Sequence, residues 1–207
     1  LDQTKFKTGL LNTEDWKKID LVMRILGKIP VHLYDTPYLS SSDVRKVLKN
    51  FSKTYPQIGL VVIDYLQLMQ EPLSNNINRA QEISFITREL KNIAREFTVP
   101  IIALSQLSRT IDGRVDPKPM LSDLRDSGSI EQDADLVMFI YRDEIYNPES
   151  NEMGIAEINL AKNRNGPVER VRLAYMPNFT KFADLSRTDE SDSVSQKTGS
   201  INEPRNF

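Results

Sequence analysis

The 207-residue sequence predicts an α/β fold whose sheet is parallel in its first part and antiparallel in its last. Two continuous apolar runs, Leu60-Val61-Val62-Ile63 and Ile101-Ile102-Ala103-Leu104, flank a long amphipathic segment, the pattern of parallel strands covered on both faces by helices. Leu136 to Tyr141, Ile155 to Ala161, Val168 to Tyr175 and Lys181-Phe182-Ala183 then follow with little helical sequence between them and read as antiparallel hairpins.

Asn12-Thr13-Glu14-Asp15 followed by Trp16, Ile19, Leu21-Val22 and Ile25-Leu26 is a capped amphipathic helix closed near Gly27, with Trp16 as a packing residue. Pro30 stops it, and Val31-His32-Leu33-Tyr34 reads as a short strand in which His32, the sole histidine, packs rather than acts as a base. A helix capped near Ser41 or Ser42 carries Val44, Val47, Leu48 and Phe51. Ile83, Ile86, Leu90, Ile93, Ala94 and Phe97 mark one face of a long helix ended by Pro100, with Arg88 to Glu96 a solvated charged face. Ser108 to Ile130, punctuated by Gly113, Pro117, Pro119 and Gly128, reads as a long loop of the kind that carries function. Residues 1–185 are expected to form one domain, and Ser186 to Phe207, polar and almost without apolar anchors, to be a disordered tail.

Composition narrows the classes. The chain is 39% hydrophobic and 27% charged, normal for a globular protein, and carries no transmembrane run. It has no cysteine, which excludes a disulfide scaffold and a thiolate metal site and accords with a reducing compartment. A net charge of -2 makes no global demand for nucleic acid, so any such contact is local. Lys162, Arg164, Arg170, Arg172 and Lys181 stand against Glu169 alone and form the clearer basic patch. The opening residues from Leu1 carry no initiating Met and no secretory leader, and the chain is expected to be part of a longer protein.

Asp64 ends the first apolar strand, where open α/β sheets bind ligands, and can coordinate a metal there; a cap for the following turn is the bland alternative. Gln106, just past the second strand, can donate to a phosphate oxygen or simply satisfy loop backbone. The pairing resembles the carboxylate and polar sensor of a nucleotide hydrolase, yet the phosphate cradle G-x-x-x-x-G-K-[ST] does not occur in these residues and is expected upstream. Ser122 to Ile130 offers a cation, hydroxyls and glycine that could hold a nucleic-acid backbone, or form a helix-cap loop with Ser127 or Ser129 and Glu131. Strand alternation puts Lys162 and Arg164 on one side at the mouth of the Asn165-Gly166 turn, suited to a phosphate or to solvent.

The runs I-D-Y-L-Q-L (Ile63 to Leu68), A-L-S-Q-L-S-R (Ala103 to Arg109), R-D-S-G-S-I-E-Q-D-A-D (Arg125 to Asp135) and A-K-N-R-N-G-P (Ala161 to Pro167) resemble the C-terminal motor domain of the replicative DNA helicase family DnaB, in that family's order. The resemblance implies a RecA-like P-loop ATPase core lacking its first strand here, using ATP and Mg2+, in a homo-hexameric ring that moves 5′ to 3′ on single-stranded DNA at the replication fork. It implies that Asp64 is the magnesium-associated carboxylate and Gln106 the sensor. Lys162 and Arg164 are implied to reach the neighbouring subunit's nucleotide, and Arg125, Asp126 and Gly128 to contact the DNA backbone. Primase and loader are expected to bind through regions other than these residues, in a bacterial cytoplasm or plastid stroma. The chain alone is expected not to hydrolyse ATP. A non-catalytic ring or scaffold protein that binds DNA or a helicase is the competing reading, and a recombinase-type RecA-like ATPase a third.

Overall fold

Side-chain caps and apolar spacing decide where the helices begin and what they bury. In the computed structural model, which describes residues 1–73, 77–108, 111 and 113–185, the first helix α1 (Gln3–Thr8) starts where the Asp2 carboxylate accepts from the Thr4 N–H at 2.7 Å and ends at Gly9, whose φ of +71° suits glycine. Helix α2 (Thr13–Leu26) begins with the expected capping box: Asn12 accepts from the Asp15 N–H at 2.8 Å, and Asp15 accepts from the Asn12 N–H at 3.2 Å. The expected tail, 186–207, lies outside the described residues.

The chain divides into two units. The first comprises, among the described residues, 1–29, 140–158 and 170–185. Its Arg142 guanidinium lies 3.9 Å from the centre of the Tyr175 ring, which also meets Phe182 at 5.1 Å. Glu144 accepts from the Gly154 N–H at 2.8 Å, and that contact, with its ion pair to Arg142, holds its carboxyl below the ordinary range. Trp16 is 59% exposed, against the expectation of helix packing. Asp15 is the buried residue of α2, while Leu21, Met23, Ile25 and Leu26 are all more than half exposed, so the helix presents its apolar residues outward.

The second unit comprises 30–139 and 159–169. Helix α3 (Ser41–Thr54) is capped by Ser40, one residue before the expected position, because Ser40 and Asp43 exchange hydrogen bonds across the first turn. The strand expected at Val31 to Tyr34 is irregular; its backbone enters neither ladder of the described residues, and His32 is fixed instead by ring contacts at 4.7 Å with Phe51 and Tyr55. Strands β1 (Val61–Ile63) and β2 (Ile101–Ala103) pair in parallel with Val61 opposite Ile101, and helix α4 (Arg79–Glu96) connects them. Ile86 and Ile93 of α4 are fully buried, with Ile83 and Leu90 on the same stripe, among Leu48, Leu66, Met69, Leu124, Ile130, Val137 and Phe139. Among the described residues the parallel pair is covered on one face only: Val61, Ile63 and Ile101 pack on this core, whereas alternation along the strands turns Val62 and Ile102 outward, 57% and 43% exposed.

The segment from Ser108 to Ile130 is not all loop. A 3-10 helix, Leu121–Ser127, leads directly into α5 (Gly128–Asp133). Leu124 and Ile130 anchor it in the core, Asp123 accepts from the Met120 N–H at 2.8 Å, and Gly128 has a helical φ of -51°. A second sheet has the order β3 (Leu136–Tyr141), β4 (Ile155–Asn163), β5 (Glu169–Met176), β6 (Lys181–Asp184), with β5 and β6 antiparallel, so the expected change from parallel to antiparallel pairing is present. In β3, Val137, Phe139 and Tyr141 are buried and the alternate residues exposed.

The Ser40 cap carries an acid-stability prediction. Hydrogen bonds from Ser40, then Lys46, hold the Asp43 carboxyl at about 2, below its ordinary 3.8. Between those values the unfolded chain binds more protons, so the Asp43 contribution is present above pH about 4 and is lost as pH falls towards 2. Asp43→Asn is expected to flatten that part of the pH–stability curve, and Ser40→Ala to cost about 1 kcal/mol at neutral pH, both read from urea midpoints.

Candidate functional site

Asp64 leaves the carboxyl end of β1 with its side chain exposed, and Gln106 occupies the corresponding end beyond β2. The ladder continues past the strands: Leu104 N–H donates to the Ile63 carbonyl at 2.9 Å, and Leu66 N–H to the Leu104 carbonyl at 2.9 Å. These bonds place Asp64 and Ser105-Gln106 on the same rim of the parallel pair.

A residue given no role from the sequence ties that rim together. Gln67, in the 3-10 helix Leu66–Leu68, accepts from the Gln106 N–H at 3.1 Å and donates to Ser105 Oγ at 3.0 Å and to the Gln106 carbonyl at 3.2 Å. Both ends of one amide therefore hold the segment that carries the candidate sensor. Arg79 fixes the same turn from α4, donating to the carbonyls of Gln67 at 2.9 Å and Met69 at 3.0 Å. The sequence signal available was a Gln two residues beyond Asp64-Tyr65, within reach of the neighbouring strand end.

The second group gathers at α5. Lys162 at the end of β4 donates its ammonium to the carbonyls of Glu131, Gln132 and Ala134, and Arg164 donates to the Gln132 carbonyl. The two cations thus act on one side, as strand alternation predicts. Asp135 pairs with Lys91 and stands 3.9 Å from Arg164; the Lys91 hydrogen bond is the main cause that lowers its carboxyl. Thr87 donates to Asp133 at 2.6 Å. Lys91, on the face of α4 expected to be solvated, is instead only 20% exposed and paired with Asp135, and Thr87 has no role assigned from the sequence. Gly128 opens α5 with free space where a Cβ would stand. Arg125 and Asp126 lie in the preceding 3-10 helix, their side chains outside the described part of the structure.

Among the described residues no three acids or histidines gather as a metal cage. One exposed carboxylate nevertheless fits Mg2+, which keeps much of its water and is commonly bound through one or two carboxylates and the phosphates of a nucleotide. A groove of about 360 Å³ along α4 is lined by Leu73, Ile77, Phe85 and Arg88, among others, and by none of the candidate residues. No helix of the described residues is long and apolar enough to cross a membrane.

A parallel pair with a carboxylate and a glutamine at its carboxyl rim, followed by antiparallel strands, gives the chain a RecA-like α/β core. The family model for the DnaB-like helicase C terminal domain matches residues 1–184, and the chain belongs to that family. A probable replicative DNA helicase of Trieres chinensis is 49% identical over 192 residues, 91% of this chain and 42% of that protein. The replicative DNA helicase DnaB of Geobacillus stearothermophilus is 47% identical over 187 residues, 90% of this chain and 41% of its own length. The chain therefore spans about two fifths of these relatives. Among solved structures, a DnaB-like replicative helicase described with its interactions with primase superposes with a TM-score of 0.84 at 39% identity, covering 90% of this chain and 46% of that one. A second solved structure, described as an ATPase domain, gives the same score and identity, covering 90% and 66%.

Proposed function

We propose that this chain, over residues 1–185, is the distal part of the motor domain of an ATP-dependent replicative helicase. The motor forms a hexameric ring, moves 5′ to 3′ on single-stranded DNA and separates the strands at the replication fork. The observation that carries the reading is the Gln67 clamp, which ties the Ser105-Gln106 segment beyond β2 to the turn that follows Asp64, within a chain that belongs to the DnaB-like family.

In this reading the substrate is Mg-ATP, whose terminal phosphoryl group passes to water as its bond to the β-phosphate breaks and ADP leaves. Asp64 would hold the Mg2+ or its water, and Gln106, kept in place by Gln67, would meet the terminal phosphate and report its presence to the DNA-facing segment. Lys162 and Arg164 would neutralise phosphate charge at the interface with the next copy, and Arg125, Asp126 and Gly128 would meet the DNA backbone. Primase and loader would bind regions outside these residues. The chain by itself, without a phosphate-binding loop in its sequence, would not hydrolyse ATP. The compartment proposed is a bacterial cytoplasm or a plastid stroma, a reading supported by relatives that are bacterial and algal.

The test uses the full-length protein on a forked DNA with a free 5′ single strand. Arg125→Ala is expected to weaken binding to single strands, to reduce the slope of log affinity against log salt by about one, and to leave nucleotide binding nearly unchanged. Unchanged DNA affinity and slope would remove Arg125 from the interface, and a full-length protein that binds DNA without ATP-driven unwinding would favour the scaffold reading.

A further inference from the structure

The contacts of Lys162 account for its whole donor capacity. An ammonium has three N–H donors. They face three acceptors in the last turn of α5 and just beyond: the carbonyls of Glu131, Ala134 at 2.9 Å and Gln132 at 3.5 Å. These belong to the helix-terminal carbonyls that lack partners within the helix, and a cation there also meets the negative end of its dipole.

Helix α5 has six residues, too few to hold itself without external contacts. Its C-terminal end is held from two directions, by Lys162 and Arg164 on one side and by Thr87 and Lys91 of α4 on the other, through Asp133 and Asp135. Its N-terminal end follows the Leu121–Ser127 3-10 helix without an intervening loop. The backbone from Arg125 to Gly128 therefore sits at one end of a short helical rod, and Lys162 grips the other.

We infer that Lys162 is a positioning residue for the Arg125–Gly128 segment, acting through α5, and that the α5 carbonyls and a phosphate group compete for its ammonium. The inference rests on the proposed reading, in which Lys162 meets nucleotide phosphate and Arg125–Gly128 meets DNA. The same three donors cannot satisfy both sets of oxygens, so engaging a phosphate withdraws the cap from α5. Because linkage is reciprocal, anything that fixes α5 in its capped position lowers the affinity of Lys162 for phosphate by the same factor.

Anisotropy of a fluorescein-labelled oligothymidylate with the full-length protein tests this, without nucleotide and with a saturating non-hydrolysable ATP analogue and Mg2+. Lys162→Met, which keeps the aliphatic stem and loses the donors, is expected to lower nucleotide-free DNA affinity about tenfold, and by clearly less with the analogue bound, where Lys162 has already left α5. Lys162→Arg, which keeps charge and donors, is expected to restore most of the nucleotide-free affinity. A Lys162→Met protein with wild-type nucleotide-free affinity and weakened analogue binding alone would overturn the inference, leaving Lys162 as a phosphate contact only. A loss that Lys162→Arg does not restore would overturn it too, because the cap chemistry would not be its cause. A wild-type protein that fails to bind the oligonucleotide at all would instead overturn the reading beneath.

Discussion

Asp64→Ala in the full-length protein is expected to lower ATP hydrolysis about 100-fold or more while leaving the circular dichroism spectrum and thermal midpoint close to wild type. The size follows from removing one pre-positioned charged group from a site where phosphate charge develops, typically worth about 10²- to 10³-fold. The selectivity follows from position. Asp64 is exposed at the strand end, and the contacts that fix the rim come from Gln67 and Arg79, which the substitution leaves in place. Phosphate release in a coupled assay, at saturating nucleotide with single-stranded DNA, reads the effect. Hydrolysis near the wild-type rate would show that Asp64 caps the turn and no more.

Ile86→Ala and Ile93→Ala are expected to be the most damaging single changes to stability. Both side chains are fully buried in α4, in the cluster that also holds Leu66, Leu124 and Val137. Truncating a fully buried isoleucine to alanine costs about 2–5 kcal/mol, through lost transfer energy and the cavity left behind. Ile86→Val at the same position should cost about 1 kcal/mol; because alanine is the better helix former, the larger loss in Ile86→Ala reads lost volume and not helix propensity. Urea unfolding of the full-length protein measures both. A midpoint unchanged in Ile86→Ala would contradict the buried position of that face.

Much of this architecture was legible because local chemistry and tertiary packing agree. Asn12 with Asp15 announces α2, and Ile83, Ile86, Leu90 and Ile93 announce both α4 and the face it buries. The four strands of the second sheet fall where the apolar runs place them. The misreadings have identifiable causes. Leu121 to Asp133 is helical because Leu124 and Ile130 supply core anchors, whereas Gly128 and the nearby serines suggest a loop when only turn chemistry is weighed. Val31 to Tyr34 has strand composition but no ladder partner among the described residues, and composition cannot supply one. A continuous apolar run at β1 suggested cover on both faces, yet alternation leaves Val62 outward. The roles of Gln67 and Lys162 depend on which strand end or helix end lies opposite, information carried by pairing between segments remote in the chain.

Helix α4 serves several parts of its unit at once. Its buried stripe fills the core, Arg79 and Glu82 hold the turns around Gln67 and Glu71, Glu89 and Glu96 pair with Arg45 of α3, and Thr87 and Lys91 hold the far end of α5. Local opening of α4 would therefore dismantle the strand-end rim and the α5 grip in a single event. Its interior amides are those whose hydrogen exchange should report global unfolding of the unit, with the two candidate functional groups belonging to one cooperative foldon.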